Sequence, residues 1–158
     1  MRLTAILSAF VGLFVNSLLM AQMPQTPPVA YGANSKTSYI RSWDAVKPES
    51  NTNEITILAT PKEFKVATQY MDALGRPVQT VVKQGALQTG GQLADLVNPV
   101  VYDDYGREKF KYLPFVANTA GGNISVTDGR FKINPFQQQA NYMDMQYGGQ
   151  NEAWYYGI

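Results

Sequence analysis

The chain contains neither cysteine nor histidine. Without cysteine there are no disulfides, no thiol nucleophiles, no thiolate metal sites and no residue to carry a lipoprotein's lipid. A folded extracellular form would depend on its core alone. Without histidine, the Ser-His-Asp and Cys-His arrangements and imidazole-ligated metals are excluded as well. Charge is also scarce: 16% of residues are charged, thirteen basic against twelve acidic, and no Lys/Arg cluster occurs. That balance gives no electrostatic attraction to nucleic acid or anionic lipid, and both partner classes are set aside. No cofactor and no enzymatic activity are expected.

The one long apolar run is N-terminal. After Arg2, residues 3–15 are mostly apolar and residues 17–21 read Ser-Leu-Leu-Met-Ala. A basic start, an apolar middle and a small-residue exit make residues 1–21 a secretory signal peptide, with cleavage expected between Ala21 and Gln22. Asn16 cuts the run short of the roughly 18 to 20 apolar residues a bilayer span requires, so no stable membrane anchor is expected. Removing the signal removes Arg2, which leaves twelve basic and twelve acidic residues and no net charge.

Residues 22–38, with Pro24, Pro27 and Pro28, read as a disordered, flexible Pro-rich leader. Residues 39–158 then read as one mainly β domain of antiparallel hairpins with at most one short helix. Tyr39-Ile40-Arg41-Ser42-Trp43 alternates large and polar residues and opens the folded part, and Ile55-Thr56-Ile57-Leu58 is a short β-rich run before Pro61. The strongest hairpin spans residues 64–83. Phe64, Val66, Thr68 and Tyr70 share one face of its incoming strand, and Val78, Thr80 and Val82 share one face of its outgoing strand. A Gly/Gln-rich link, residues 84–92, leads to a second hairpin pairing residues 98–102 with 107–112, closed by Pro114. Asp128-Gly129 between two alternating runs predicts a third, two-residue hairpin within residues 124–133. Residues 137–143 are the one helix candidate. The tail Trp154-Tyr155-Tyr156 is expected to continue into a strand that the chain does not finish.

A turn signature occurs twice, as Tyr70-Met71-Asp72-Ala73-Leu74-Gly75-Arg76 and Val101-Tyr102-Asp103-Asp104-Tyr105-Gly106-Arg107, offset by 31 residues. Both copies read aromatic, Asp, two residues, Gly, Arg. Asp72 and Asp103 can accept from backbone N–H groups two residues on, Gly75 and Gly106 can take the positive φ that ends the turn, and Arg76 and Arg107 start the return strand. A fixed period of this kind marks repeat architectures, in which one unit buries its apolar face only when a neighbour stacks on it.

Other chemistry competes with these structural roles for the same residues. Asp103, Asp104 and Asp128 could be imagined around calcium, but adjacent Asp residues in a strand point to opposite faces and the EF-hand spacing is missing. A glycosidase needs two carboxylates across a sugar cleft, and Asp72 with Asp103 is a formal candidate, yet both already have a turn to cap. The Arg76 and Arg107 stems read as packing along the sheet, with their heads paired to Asp or tyrosine. With ten Tyr and two Trp, a sugar-stacking face of Trp43, Trp154, Tyr155 and Tyr156 is the second reading, against the use of aromatics as cross-strand filling.

The two turn units are similar to YD repeats. The longer strings TQYMDALGRPVQTVVKQG and PVVYDDYGREKFKYLPF, with the opening SYIRSWDAVKP, resemble the N-terminal domain of RHS-repeat proteins secreted by Gram-negative bacteria, over roughly residues 38–156. The resemblance implies a secreted or cell-surface protein whose later repeats wind a β-sheet into a hollow shell, often around a variable C-terminal toxin or effector. This domain, itself of unknown function, would then begin or cap that shell, with downstream RHS/YD repeats as its partner. Here the chain ends before any repeat array, so it is expected to be an incomplete piece of a larger β-structure.

Mass spectrometry of exported protein is expected to show a chain starting at Gln22, some of it cyclised. An intact Met1 in secreted material would contradict the signal-peptide assignment.

Overall fold

A computed structural model describes residues 28–32, 35, 37–88, 90–108 and 110–148, and residues 155–157 by backbone alone. The expected signal peptide, its cleavage site, Pro24, Pro27 and Trp154 lie outside the described residues. The fold is mainly β, as expected: among the described residues it has one five-stranded antiparallel sheet, a two-stranded ladder and a single α-helix.

Alternation builds the first two strands. β1 (Ser38–Ala45) pairs with β2 (Phe64–Met71) along its whole length, from Ser38 opposite Met71 to Ala45 opposite Phe64. Phe64, Val66, Thr68 and Tyr70 all point to one buried face of β2, while Lys65 and Gln69 are exposed. β3 (Pro77–Leu87) returns along β2, and β4 (Leu93–Pro99) along β3. β6 (Phe115–Val116) closes the order β1-β2-β3-β4-β6. Thr68 opposite Val81, Val81 opposite Val97 and Val97 opposite Phe115 carry one core stripe across four strands. Tyr70, Val78, Ala117 and the half-buried Phe131 and Tyr142 complete that cluster. A second cluster of Ala59, Phe64 and Val66 is covered by Trp43 and Ile57.

The helix α1 (Pro135–Tyr147) begins at a proline, whose missing N–H costs nothing in a first turn, and stops at Gly148 in the left-handed region. It starts two residues before the expected 137–143 and ends four residues after it, packs on β6, and buries Phe136, Gln138, Gln139 and Met143. The ring of Phe136 meets Tyr112 edge-on at 5.1 Å.

Four local expectations are corrected. Residues 55–58 form no strand, because their carbonyls serve side chains: Trp43 Nε1 donates to Thr56 O at 3.1 Å, and Lys83 Nζ donates to Ile57 O and Ala59 O at 2.6 and 2.8 Å. On β3 the buried residues are Val78, Gln79 and Val81, while Thr80 and Val82 of the expected face are only half-buried, since the ladder shifts by one residue at Val78, between Tyr70 and Met71. The second hairpin has no ladder. β4 spends its hydrogen bonds on β3 and β6 instead, and β5 (Phe110–Tyr112) pairs with β7 (Tyr155–Gly157).

The fourth correction concerns residues 124–133, which form no hairpin but lie across the sheet. Their backbone groups bond to groups of the sheet: Asp95 N donates to Val126 O at 2.7 Å and Tyr70 Oη to Gly129 O at 3.4 Å. The Gln79 amide pairs with Lys132 in the manner of a strand neighbour, donating to Lys132 O at 3.1 Å and accepting from Lys132 N at 2.8 Å. Ile124 is consequently 99% exposed, although its alternation suggested a strand. Within the expected leader, Tyr31 is tied to the same segment. Its N–H donates to Ile133 O at 2.9 Å, its ring sits 5.0 Å from that of Phe131, and burial pushes its hydroxyl up to about 12.

Candidate functional site

The two Asp-x-x-Gly-Arg turns are built alike, bond for bond. In the first, Asp72 N donates to Arg76 O at 2.9 Å and Gly75 N to Asp72 O at 3.0 Å, which closes the loop. Asp72 Oδ1 accepts from the N–H groups of Leu74 and Arg76, both at 2.9 Å, and Oδ2 takes Arg76 Nε at 2.8 Å and Nη2 at 2.7 Å. In the second, Asp103 N donates to Arg107 O at 2.9 Å and Gly106 N to Asp103 O at 2.8 Å. Asp103 Oδ1 accepts from Tyr105 N at 3.0 Å and Arg107 N at 2.9 Å, and Oδ2 takes Arg107 Nε at 3.0 Å and Nη2 at 2.9 Å. Gly75 and Gly106 both have φ +76°, where a Cβ is resisted. In each turn one carboxylate satisfies the backbone and locks a fork-shaped guanidinium.

These contacts fix the charge state. The backbone N–H of Arg76, before any other contact, holds the Asp72 carboxyl below the usual carboxylate range, and the N–H of Arg107 does the same for Asp103. Neither carboxylate is free to act as an acid, base or cation ligand, since each is engaged by its own arginine.

The turns also touch one another. Arg76 lies over the ring of Tyr102, its guanidinium carbon 4.4 Å from the centroid. Its Nη1 fills the hollow above Gly106, where a Cβ would come within 2.8 Å of it. The corresponding hollow at Gly75 has nothing within 4 Å. The aromatic is not equivalent in the two copies: Tyr102 immediately precedes its Asp, whereas Met71 holds that place in the first turn and Tyr70 is turned into the core. The Arg76 side chain is 34% exposed and that of Arg107, which among the described residues stacks only on its own Tyr105 at 5.1 Å, is 72% exposed.

A cleft of about 250 Å³ opens beside the crossing segment, lined among others by Asn123, Ser125, Asp128, Arg130 and Lys132. Asp128 and the buried Asp95 converge there on a single ammonium. Lys132 Nζ donates to Asp95 Oδ2 and Asp128 Oδ1, both at 2.8 Å, and to Ser125 O at 3.2 Å. Burial works to raise the Asp128 carboxyl, but its bonds to Lys132 and the Arg130 N–H outweigh this and hold it low. Three acceptors use all three protons of the ammonium, so the cluster is closed upon itself. Sequence reasoning missed Asp95, Lys132 and Gln79; they lie 37 and 53 positions apart in their pairs, and no local pattern marks a charge for burial.

Of the expected aromatic face, only Trp43 has a described side chain; Trp154 and the side chains of Tyr155 and Tyr156 lie outside the described residues. Trp43 is half-buried with its N–H engaged, and Arg41 stacks beside it and Tyr39, its guanidinium carbon 5.9 and 4.8 Å from the two ring centroids. Tyr155 and Tyr156 are placed as backbone in β7. Asp104 takes no part in either turn's bonds.

The family model described as a domain of unknown function (DUF6443) matches residues 42–157, a span that begins inside β1 and includes both turns. No curated protein and no solved structure shows a significant match to the chain.

The Gly106 contact distinguishes two substitutions that backbone conformation alone would make equal. Gly75→Ala is expected to cost ~1–2 kcal/mol through its positive φ, and Gly106→Ala about 0.5–1 kcal/mol more by dislodging Arg76 from Tyr102. In an Arg76→Ala background that excess should vanish. Urea midpoints of the four variants check this, and equal costs for the two glycines would contradict the inter-turn contact. The depressed Asp72 and Asp103 carboxyls contribute stability that is present above the unfolded carboxylate value and lost as pH falls through the lower folded one. The stability deficit of Asp72→Asn measured at neutral pH should therefore shrink in acid.

Proposed function

Since the chain belongs to the DUF6443 family, whose function is unassigned, we propose that it is a structural head or cap of a secreted RHS/YD-repeat β-shell, part of a polypeptide that delivers a toxin or effector. The observation that carries this reading is the seating of one Asp-x-x-Gly-Arg turn on the next through Arg76, Tyr102 and Gly106. A turn that docks on its successor is a unit of assembly, and its carboxylate and guanidinium are consumed in holding shape. The sheet supports the same reading. β1 pairs on one side only among the described residues, and its Tyr39 and Ile40 are 54% and 62% exposed, so it offers an edge on which a further strand can add. Export through the N-terminal signal would place the domain outside the cytoplasm of a Gram-negative cell. No residue acts as a catalyst in this reading.

A carbohydrate-binding module is the second reading, and Tyr39 on the rim of β1 is the aromatic that favours it. It is the weaker of the two, because Arg41 already occupies the space between Tyr39 and Trp43 that a sugar ring would need.

The assembly reading predicts that residues 22–158, expressed alone, associate as concentration rises, with a melting temperature that depends on concentration. Light scattering and thermal melts over a dilution series check this. A monodisperse monomer with a cooperative, concentration-independent transition would contradict it.

A further inference from the structure

We propose that Arg107 is the outgoing member of a directional turn-to-turn relay, and that it docks onto a further turn of the form Tyr-Asp-x-x-Gly-Arg. Its guanidinium would lie over that turn's tyrosine and fill that turn's glycine hollow, as Arg76 does at Tyr102 and Gly106. That the occupant is another turn of this kind rests on the repeat reading above.

The inference comes from an asymmetry between two otherwise identical units. Both arginines are held by the same two bonds to their own aspartate, so both guanidinium planes leave their turns in the same local pose. For Arg76 that pose ends on a ring and in a hollow. For Arg107 the described residues supply only Asp103 and the ring of its neighbour Tyr105, which is itself 84% exposed. Direction follows from the incoming side. The first turn carries Met71 where the second carries Tyr102, and its hollow above Gly75 is open. It thus gives an arginine and receives none, and the second turn receives one and has its own still to give.

The receiving turn's chemistry is then specified. It needs an aromatic face directly before its aspartate, because a planar cation gains most over a ring. It needs a glycine four residues after that ring, because a Cβ there would stand within 2.8 Å of the incoming Nη1, as at Gly106. The cation that docks is already paired to its own carboxylate, so the contact brings no uncompensated charge into the joint. Lysine in place of Arg107 would bring a tetrahedral ammonium, which cannot lie flat on the ring.

The test supplies the receiving turn in trans. The probe is a head-to-tail cyclised peptide with the sequence of residues 101–107, used once nuclear Overhauser contacts have verified its turn. It is titrated into the isotope-labelled protein while the Nε–Hε resonances of the arginines are followed. The expected result is a saturable upfield ring-current shift of the Arg107 resonance, with those of Arg41 and Arg76 unmoved. The shift should be lost with probes carrying Tyr102→Leu or Gly106→Ala, and no saturable binding should be left in Arg107→Ala protein, whose dispersed amide spectrum reports an intact fold. An unmoved Arg107 resonance, or equal binding by the Gly106→Ala probe, would overturn the relay. Failure here with concentration-dependent association intact leaves the shell-head reading standing, whereas a titrating Arg107 on a strictly monomeric protein leaves the relay without the shell.

Discussion

The buried carboxylate of Asp95 is the constraint on which the rest of the structure depends. It is inaccessible to solvent, as is Lys132 at 1% exposure, and three parts of the chain meet on it. Oδ1 accepts the Gln84 N–H at 2.9 Å, and Oδ2 accepts the Gly129 N–H and the Lys132 ammonium, each at 2.8 Å. Each bond has a separate structural consequence. Gln84 sits in the bulge between Val82 and Ala86 with φ +50°, a conformation non-glycine residues avoid, and the bulge takes its N–H out of the ladder. Asp95 supplies the acceptor that the ladder does not. Gly129 and Lys132 hold the crossing segment on the sheet, so one side chain fixes both the bend in β3 and the cover of the core. A buried ion pair of this kind is weak evidence for net stability but strong evidence for a specified arrangement, because Asp95 without Lys132 would be a buried carboxylate with no counter-ion, and Lys132 without Asp95 would keep only the half-exposed Asp128.

The paired turns use the opposite solution. Their carboxylates stay near solvent, and their arginines are locked locally, within five residues. Local closure makes each turn a rigid unit that presents a guanidinium edge, and the second turn adds the Tyr102 ring on which Arg76 lies. The core is thus ordered by long-range polar bonds, while the turns are ordered by short-range ones that survive without a ladder beneath them. The second turn demonstrates this, since it keeps every bond of the first although its flanking residues pair elsewhere.

That division also decides what could be read in the sequence. The Asp-x-x-Gly-Arg turns were legible because donor, acceptor and glycine lie within one short window. β2 was legible from its period of two, and α1 only as the short candidate 137–143, without the Pro135 start and Gly148 stop that bound it. Residues 55–58 and 124–133 misled, because apolar alternation and Asp-Gly are equally satisfied by a segment whose backbone bonds to sheet side chains. Nothing near Gln79 says that its amide replaces a strand, and nothing near Lys132 says that its charge is buried. In the candidate site, the reading placed the turn residues but not their contact. The 31-residue offset relates the two motifs, yet only the fold brings Arg76 over Tyr102.

The most direct measurement is therefore of Asp95 itself, by urea unfolding of Asp95→Ala, Lys132→Met and the double variant. Lys132→Met leaves the buried Asp95 carboxylate without its counter-ion and Asp95→Ala removes one of the two carboxylates that hold Lys132; each should cost about 3–5 kcal/mol, while the double variant should cost clearly less than the sum of the two. Hydrogen exchange should show residues 124–133 losing protection first in Asp95→Ala. Single variants within about 0.5 kcal/mol of the parent, or a double variant whose cost equals the sum, would show that the sheet and its cover are held by something other than this carboxylate.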